Sequence, residues 1–106
     1  MEWRKQEVLI NLVKNSIEAL DGRKDGKISL SVNETANHTV IKEEDNGPGI
    51  QPSDIQDIFL PFFTTKKDGM GIGLSLSRQI MNLHGGTLSV ESVPGERTVF
   101  SLVFIK

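Results

Sequence analysis

The sequence predicts an α+β two-layer α/β sandwich, with helices on one face of a mixed, mostly antiparallel sheet. Three observations predict it. Residues 2–20 and the run from Gly69 through Leu83 space their apolar residues three and four apart, as helices do. Residues 27–32 with 39–41, and 87–92 with 98–104, form two pairs of alternating stretches across turn-rich connections, as hairpins do. The order is therefore helix, hairpin, short helix and flap, helix, hairpin.

Length and composition bound the answer. The chain has 106 residues, enough for one domain, 1–106. A chain of this size buries roughly two-thirds of its unfolded surface, which supports one core. Net charge is −2 with both signs interspersed. There is no basic stripe of the kind nucleic-acid binding needs, so no nucleic acid is expected. The absence of cysteine excludes disulfides and thiolate metal sites. No apolar run approaches a membrane span, and Met1-Glu2-Trp3-Arg4-Lys5 does not open a signal peptide. The expectation is a cytoplasmic domain, monomeric by itself and without direct membrane contact.

In the first helix Val8, Leu9, Leu12, Val13, Ile17 and Leu20 form the apolar stripe, and Asp21-Gly22 ends it. The opposite stripe holds Glu7, Asn11, Asn15 and Glu18. Each asparagine costs roughly 0.6 kcal/mol of helix propensity against alanine. Amide oxygens are hard, neutral ligands that suit Mg²⁺ together with phosphate oxygens and water. The plainer alternative is that both amides are solvated.

In the first hairpin Ile28, Leu30 and Val32 share a face. Its second strand runs through Lys42-Glu43-Glu44 to Asp45-Asn46-Gly47-Pro48-Gly49. Proline fixes φ, and the glycines permit close approach to the backbone. The result is a sharp turn at a strand end with one carboxylate at its mouth. Such a carboxylate can accept a hydrogen bond from an exocyclic amine and leave room for a flat ring. On these residues alone, a surface turn explains the pattern equally well. Pro52 to Phe59 suits one or two helical turns.

Pro61 to Gly69 places Phe62 and Phe63 beside Lys66 and Lys67. It reads either as core aromatics with surface lysines, or as a mobile flap that brings cations over an anion. Gly69-Met70-Gly71-Ile72-Gly73-Leu74 then opens the second helix, whose predicted buried face is Ile72, Leu76, Ile80 and Leu83. Glycines running into a helix N-terminus make an anion site, because backbone N–H groups are unpaired there. A P-loop is rejected, since Gly73-Leu74-Ser75 lacks its lysine. The dinucleotide fingerprint is rejected too, because Leu76 stands where its third glycine belongs. Gly85-Gly86 stop the helix, and Val93-Pro94-Gly95-Glu96-Arg97 join the last two strands.

Four motifs in order then carry a family resemblance. Asn11 to Ala19 resembles an N box, and Asp45 to Ile50 a first glycine box. Ile58 to Lys66 resembles an F box, and Gly69 to Ile80 a second glycine box. The sequence resembles the catalytic, ATP-binding domain of sensor histidine kinases, within the superfamily that includes DNA gyrase, MutL-type ATPases and a heat-shock chaperone. The resemblance implies the Bergerat-type ATP-binding fold, with ATP and Mg²⁺ as cofactors. It implies that Asp45 accepts the adenine amino hydrogen bond, helped through water by Thr98. Gly47, Gly49 and Ile50 would shape the base pocket. Asn15 would ligate Mg²⁺, with Asn11 beside it. Gly69, Met70, Gly71, Ile72, Gly73 and Leu74 would wrap the phosphates, and Lys66 would reach them.

At position 11 the related hydrolases carry a glutamate as base. An amide accepts no proton at neutral pH, so Asn11 argues for phosphoryl transfer over hydrolysis. The sequence departs from the family in three ways. Glu43 stands two residues before Asp45, where the family is apolar. Either three adjacent carboxylates raise the pKa of Asp45, or Glu43 faces water. The family's further strand before the N-box helix is not seen, so the sheet is expected to lack an edge. Neither His38 nor His84 has the acidic neighbour of an accepting histidine. The expected reaction is γ-phosphoryl transfer from Mg-ATP to a histidine on a dimerisation domain of the same kinase, then to the receiver domain of a response regulator. No autophosphorylation by this domain alone is expected. The alternatives are an ATP-binding or partner-docking module without catalysis, an anti-sigma-type serine kinase, and an ATP hydrolase.

Overall fold

The structure is a computed structural model that describes residues 2–60 and 73–106. Helix α1 (Glu2–Ala19) precedes a hairpin of β1 (Ile28–Glu34) and β2 (His38–Asp45). Helix α2 (Gly73–Leu83) precedes a hairpin of β3 (Gly86–Val93) and β4 (Arg97–Ile105). These are the stretches whose periodicity predicts helix and strand. Residues 51–60 form successive turns, not the expected helical turns. Asp54 N–H donates to the Gln51 carbonyl, Asp57 to Asp54, and Leu60 to Asp57, at 2.8–2.9 Å. Each bond spans three residues, so the tighter geometry replaces the α-helical one. The residue types Pro52, Ser53, Asp54 and Asp57 favour such turns.

The sheet order is β1-β2-β4-β3, and every pairing among the described residues is antiparallel. The two hairpins therefore join through their second strands. Residues directly paired across antiparallel strands share a face. Three rows result. One is Ile28, Asp45, Thr98 and Ser92; the next is Leu30, Glu43, Phe100 and Val90; the third is Val32, Ile41, Leu102 and Leu88. This face meets the helices, and Val8, Leu12, Ile58, Ile80, Met81, Leu88, Phe100 and Leu102 form the core between the layers.

The helices bury narrower seams than their apolar stripes suggest. In α1 the fully covered residues are Val8, Leu12 and Ser16, at four-residue steps, while Ile17 is 58% exposed. One residue further along a helix is about 100° further round it, which turns Ile17 out of the seam. In α2 the seam is Ser77, Ile80 and Met81, and the expected Leu76 and Leu83 lie exposed. The helices cover the central strands and leave the edge open. Leu30 and Val32 of β1 keep their predicted common face but are more than half exposed.

Candidate functional site

The site lies where β2 ends and β4 begins. The β2–β4 register sets Asp45 opposite Thr98, both buried and both on the helix-facing side. Asp45 Oδ1 accepts the Gly47 N–H at 2.9 Å, the Asx turn that Asp before Asn-Gly favours. A Cβ at Gly47 would stand 2.9 Å from that same oxygen and 3.5 Å from Ala19 Cβ. The carboxylate thus has bare backbone beside it, as the sequence predicts.

The rest of the glycine turn is fastened to the β3–β4 connection. Pro48 O accepts Gly95 N–H at 2.7 Å, and Ser92 Oγ accepts Ile50 N–H at 2.6 Å. Gly49 has φ +75°, and a Cβ there would meet Val93 O at 2.7 Å. Only glycine fits, on both counts. Asn46 ties the other side down. Its Oδ1 accepts Lys27 N–H at 2.7 Å, and its Nδ2 donates to Asp25 O at 2.8 Å. Ile50 is half-buried and packs against the core.

Helix α1 reaches the same region through Ser16. Asn11 and Asn15 are half-buried, whereas Glu7 and Glu18 of the same stripe are exposed. Asn11 Nδ2 donates to Ser77 Oγ of α2 at 3.4 Å, a long bond across the helix pair. Ser16, next after Asn15, lies 2.7 Å from Asp45 Oδ2 and 2.6 Å from Glu43 Oε2. Gly73 is the first residue of α2, and Leu74 is half-buried against the core. Lys66, Gly69, Met70, Gly71 and Ile72, together with the expected flap, lie outside the described residues.

Ser16 was not singled out by its pattern, and Glu43 was singled out with two readings open. Ser16 is a polar residue on the buried seam, and its register four after Leu12 is the signal that could have found it. Glu43 does not face water: it is fully buried, one row from Asp45. Its carboxyl is raised above the ordinary glutamate value. Burial is the main cause; the Ser16 hydrogen bond opposes it, and the charge of Asp45 adds to it. Glu43 Oε1 is buried without a hydrogen-bond partner among the described residues.

Comparison with known proteins decides the family. The model of the histidine kinase-, DNA gyrase B- and HSP90-like ATPases matches residues 2–106. The chain belongs to this ATPase family. The C4-dicarboxylate transport sensor protein DctB of Rhizobium meliloti is 42% identical over 95 residues, 90% of this chain and 15% of that protein. The sensor histidine kinase ZraS of Salmonella typhimurium is 41% identical over 100 residues, covering 93% of this chain and 21% of that protein. Sporulation kinase C of Bacillus subtilis is 39% identical over 98 residues, 92% of this chain and 22% of that protein. The chain thus spans about a fifth of the length of these relatives, or less. Among solved structures, the nucleotide-free catalytic domain of histidine kinase ThkA superposes with a TM-score of 0.87 at 36% identity, over 100% of this chain and 69% of that one. The four-stranded sheet and paired helices are thus the ATPase-family α+β architecture.

Among the described residues no helix is long and apolar enough to cross a membrane. Nor do three His, Cys, Asp or Glu side chains gather to hold a metal ion.

Proposed function

We propose that this domain binds Mg²⁺-ATP and donates its γ-phosphoryl group to a histidine on a dimerisation domain, for onward transfer to a response-regulator receiver domain. The observation that carries the reading is the buried Asp45. Its carboxylate is held by Ser16 and Gly47, paired in register with Thr98, and bordered by Gly47, where a Cβ would stand 2.9 Å from its oxygen. A carboxylate so fixed accepts from an amino group without having to reorganise first. Its match to an adenine amino edge is what the residues present offer.

Asn15, with Asn11 beside it, supplies amide oxygens that suit Mg²⁺ alongside phosphate oxygens and water. Bound Mg²⁺ supplies charge neutralisation on the transferring phosphoryl group. The protein's own part is to bind, orient and keep water from attacking. Asn11 bears on the last of these: its amide, turned towards Ser77, takes no proton from water. Gly73 and Leu74 at the start of α2 would meet the phosphates with unpaired backbone N–H groups, and Lys66, Gly69, Met70, Gly71 and Ile72 would complete that wrap. The nucleophile comes from the histidine-bearing domain, so this domain contributes position and electrostatics. The kinase names of the relatives support transfer to histidine over hydrolysis.

Calorimetric titration with a non-hydrolysable ATP analogue, with and without Mg²⁺, tests the reading. Asp45→Ala should weaken binding by about tenfold to a hundredfold, the worth of a hydrogen bond to a charged acceptor. Asn15→Ala should remove mainly the Mg²⁺ enhancement. A folded domain that binds no analogue refutes the proposal.

A further inference from the structure

Ser16 Oγ contacts two carboxylates at once, Glu43 Oε2 at 2.6 Å and Asp45 Oδ2 at 2.7 Å. A hydroxyl has one hydrogen, and an ionised carboxylate only accepts. If both acids were ionised, one of these short oxygen–oxygen contacts would hold no proton. Two buried anions would then face one donor. A second proton in the cluster, on one of the acids, gives both contacts a hydrogen.

The surroundings decide which. Asp45 receives the Gly47 N–H on its other oxygen, so its charged form has two donors. The other oxygen of Glu43 has none among the described residues, and the residue is fully buried. Its row neighbours are Leu30 on β1 and Phe100 on β4, neither of which ionises. Among the residues whose burial is described, the buried polar side chain of α1 is Ser16, and α2 buries Ser77, Ile80 and Met81. Asp45 is the charge that acts on Glu43, and it disfavours a second anion.

We propose that Glu43 is a positioning residue: it keeps a proton at neutral pH, donates it to Ser16 Oγ, and so directs the single Ser16 hydrogen onto Asp45 Oδ2. Asp45 is then held by Ser16 on one oxygen and Gly47 on the other, with its plane set. When Glu43 loses its proton, Ser16 must choose between two anions, and Asp45 loses a fixed donor. Binding at Asp45 thereby becomes dependent on pH. This consequence rests on the nucleotide reading above; the shared proton does not.

Two measurements on the full chain test it. The first follows the Glu43 carboxyl carbon by NMR without nucleotide, from about pH 5 to about pH 9. The expected signal is that of a carboxylic acid at neutral pH, moving to the ionised position on the alkaline side. An ionised signal at neutral pH overturns the proposal. The second titrates a non-hydrolysable ATP analogue across the same range. The wild-type dissociation constant should rise with pH, by at most about tenfold per pH unit for one proton. Glu43→Gln keeps a donor for Ser16 and cannot ionise, so its affinity should stay near the low-pH wild-type value throughout. A Glu43→Gln profile that tracks the wild type overturns the positioning role. If the Glu43 signal is protonated but neither protein binds the analogue at any pH, the shared proton stands and the nucleotide reading falls.

Discussion

Replacing Gly49 with alanine separates two effects that the glycine turn combines. The first is backbone strain. An L residue at φ +75° costs roughly 1–2 kcal/mol. Alanine also restricts the unfolded chain, which returns about 0.4–1 kcal/mol. Strain alone therefore leaves a net cost of about 1 kcal/mol. The second effect is contact. The new Cβ would lie 2.7 Å from Val93 O, 2.9 Å from Ser92 Oγ and 3.0 Å from Pro94 Cα. Two of these atoms are backbone, so the turn must move as a unit. That movement strains the Pro48–Gly95 and Ile50–Ser92 hydrogen bonds, each worth about 1 kcal/mol. The total for Gly49→Ala comes to about 3 kcal/mol. Gly22 supplies the control, with φ +82° and nothing within 4 Å of its would-be Cβ. Gly22→Ala carries strain without contact and should cost about 1 kcal/mol. Urea unfolding reads the difference. With a slope of about 1.5 kcal/mol per molar, Gly49→Ala should unfold about 1 M earlier than Gly22→Ala. Equal midpoints for the two variants would refute the claim that the turn is packed against the β3–β4 connection.

The remaining predictions concern the core, the acid pair and the asparagine clip. Leu102→Ala should cost about 2–5 kcal/mol, because Leu102 is fully buried between the layers, whereas Ile17→Ala should stay within about 0.5 kcal/mol; equal losses in urea unfolding would contradict the narrow seam of α1. In the folded chain the Glu43 carboxyl is raised above the ordinary value of 4.5, chiefly by burial. The stability tied to its proton is complete below the unfolded value and is lost as pH rises through the raised folded value, so stability relative to Glu43→Gln should decline from about pH 4.5 upwards. A flat difference across that window would show that Glu43 ionises normally. Asn46→Ala should speed amide exchange at Lys27, whose N–H it accepts, at a cost of about 1 kcal/mol; unchanged exchange there would mean that the β1–β2 pairing holds residues 25–27 without the clip.

Much of the candidate site was legible because it depends on local rules. Asp45 before Asn-Gly-Pro-Gly is turn chemistry, and the Asx bond to Gly47 is what such a sequence forms by itself. The spacing of Asn11 and Asn15 puts them on one helical face whatever the helix packs against. The hairpins were legible for the same reason, since each pairs neighbouring segments. The burial of particular residues was not. Leu76 and Leu83 satisfy helical periodicity, yet α2 turns Ser77, Ile80 and Met81 inward. Periodicity fixes angles around a helix axis but not which angle meets the neighbouring layer.

Read alone, the sequence determined the two long helices, the two hairpins and their order, the acidic glycine turn and the motif order that identifies the family. The tertiary structure decided that the hairpins join through β2 and β4, which sets Asp45 opposite Thr98 across about fifty residues of chain. It also decided that Ser16 sits between Glu43 and Asp45. Local periodicity carries no information about such partners, because a strand of given alternation can pair with any other. Burial against the shared core selects the pairing, and in doing so makes a glutamate that sequence allows to face water into a buried acid.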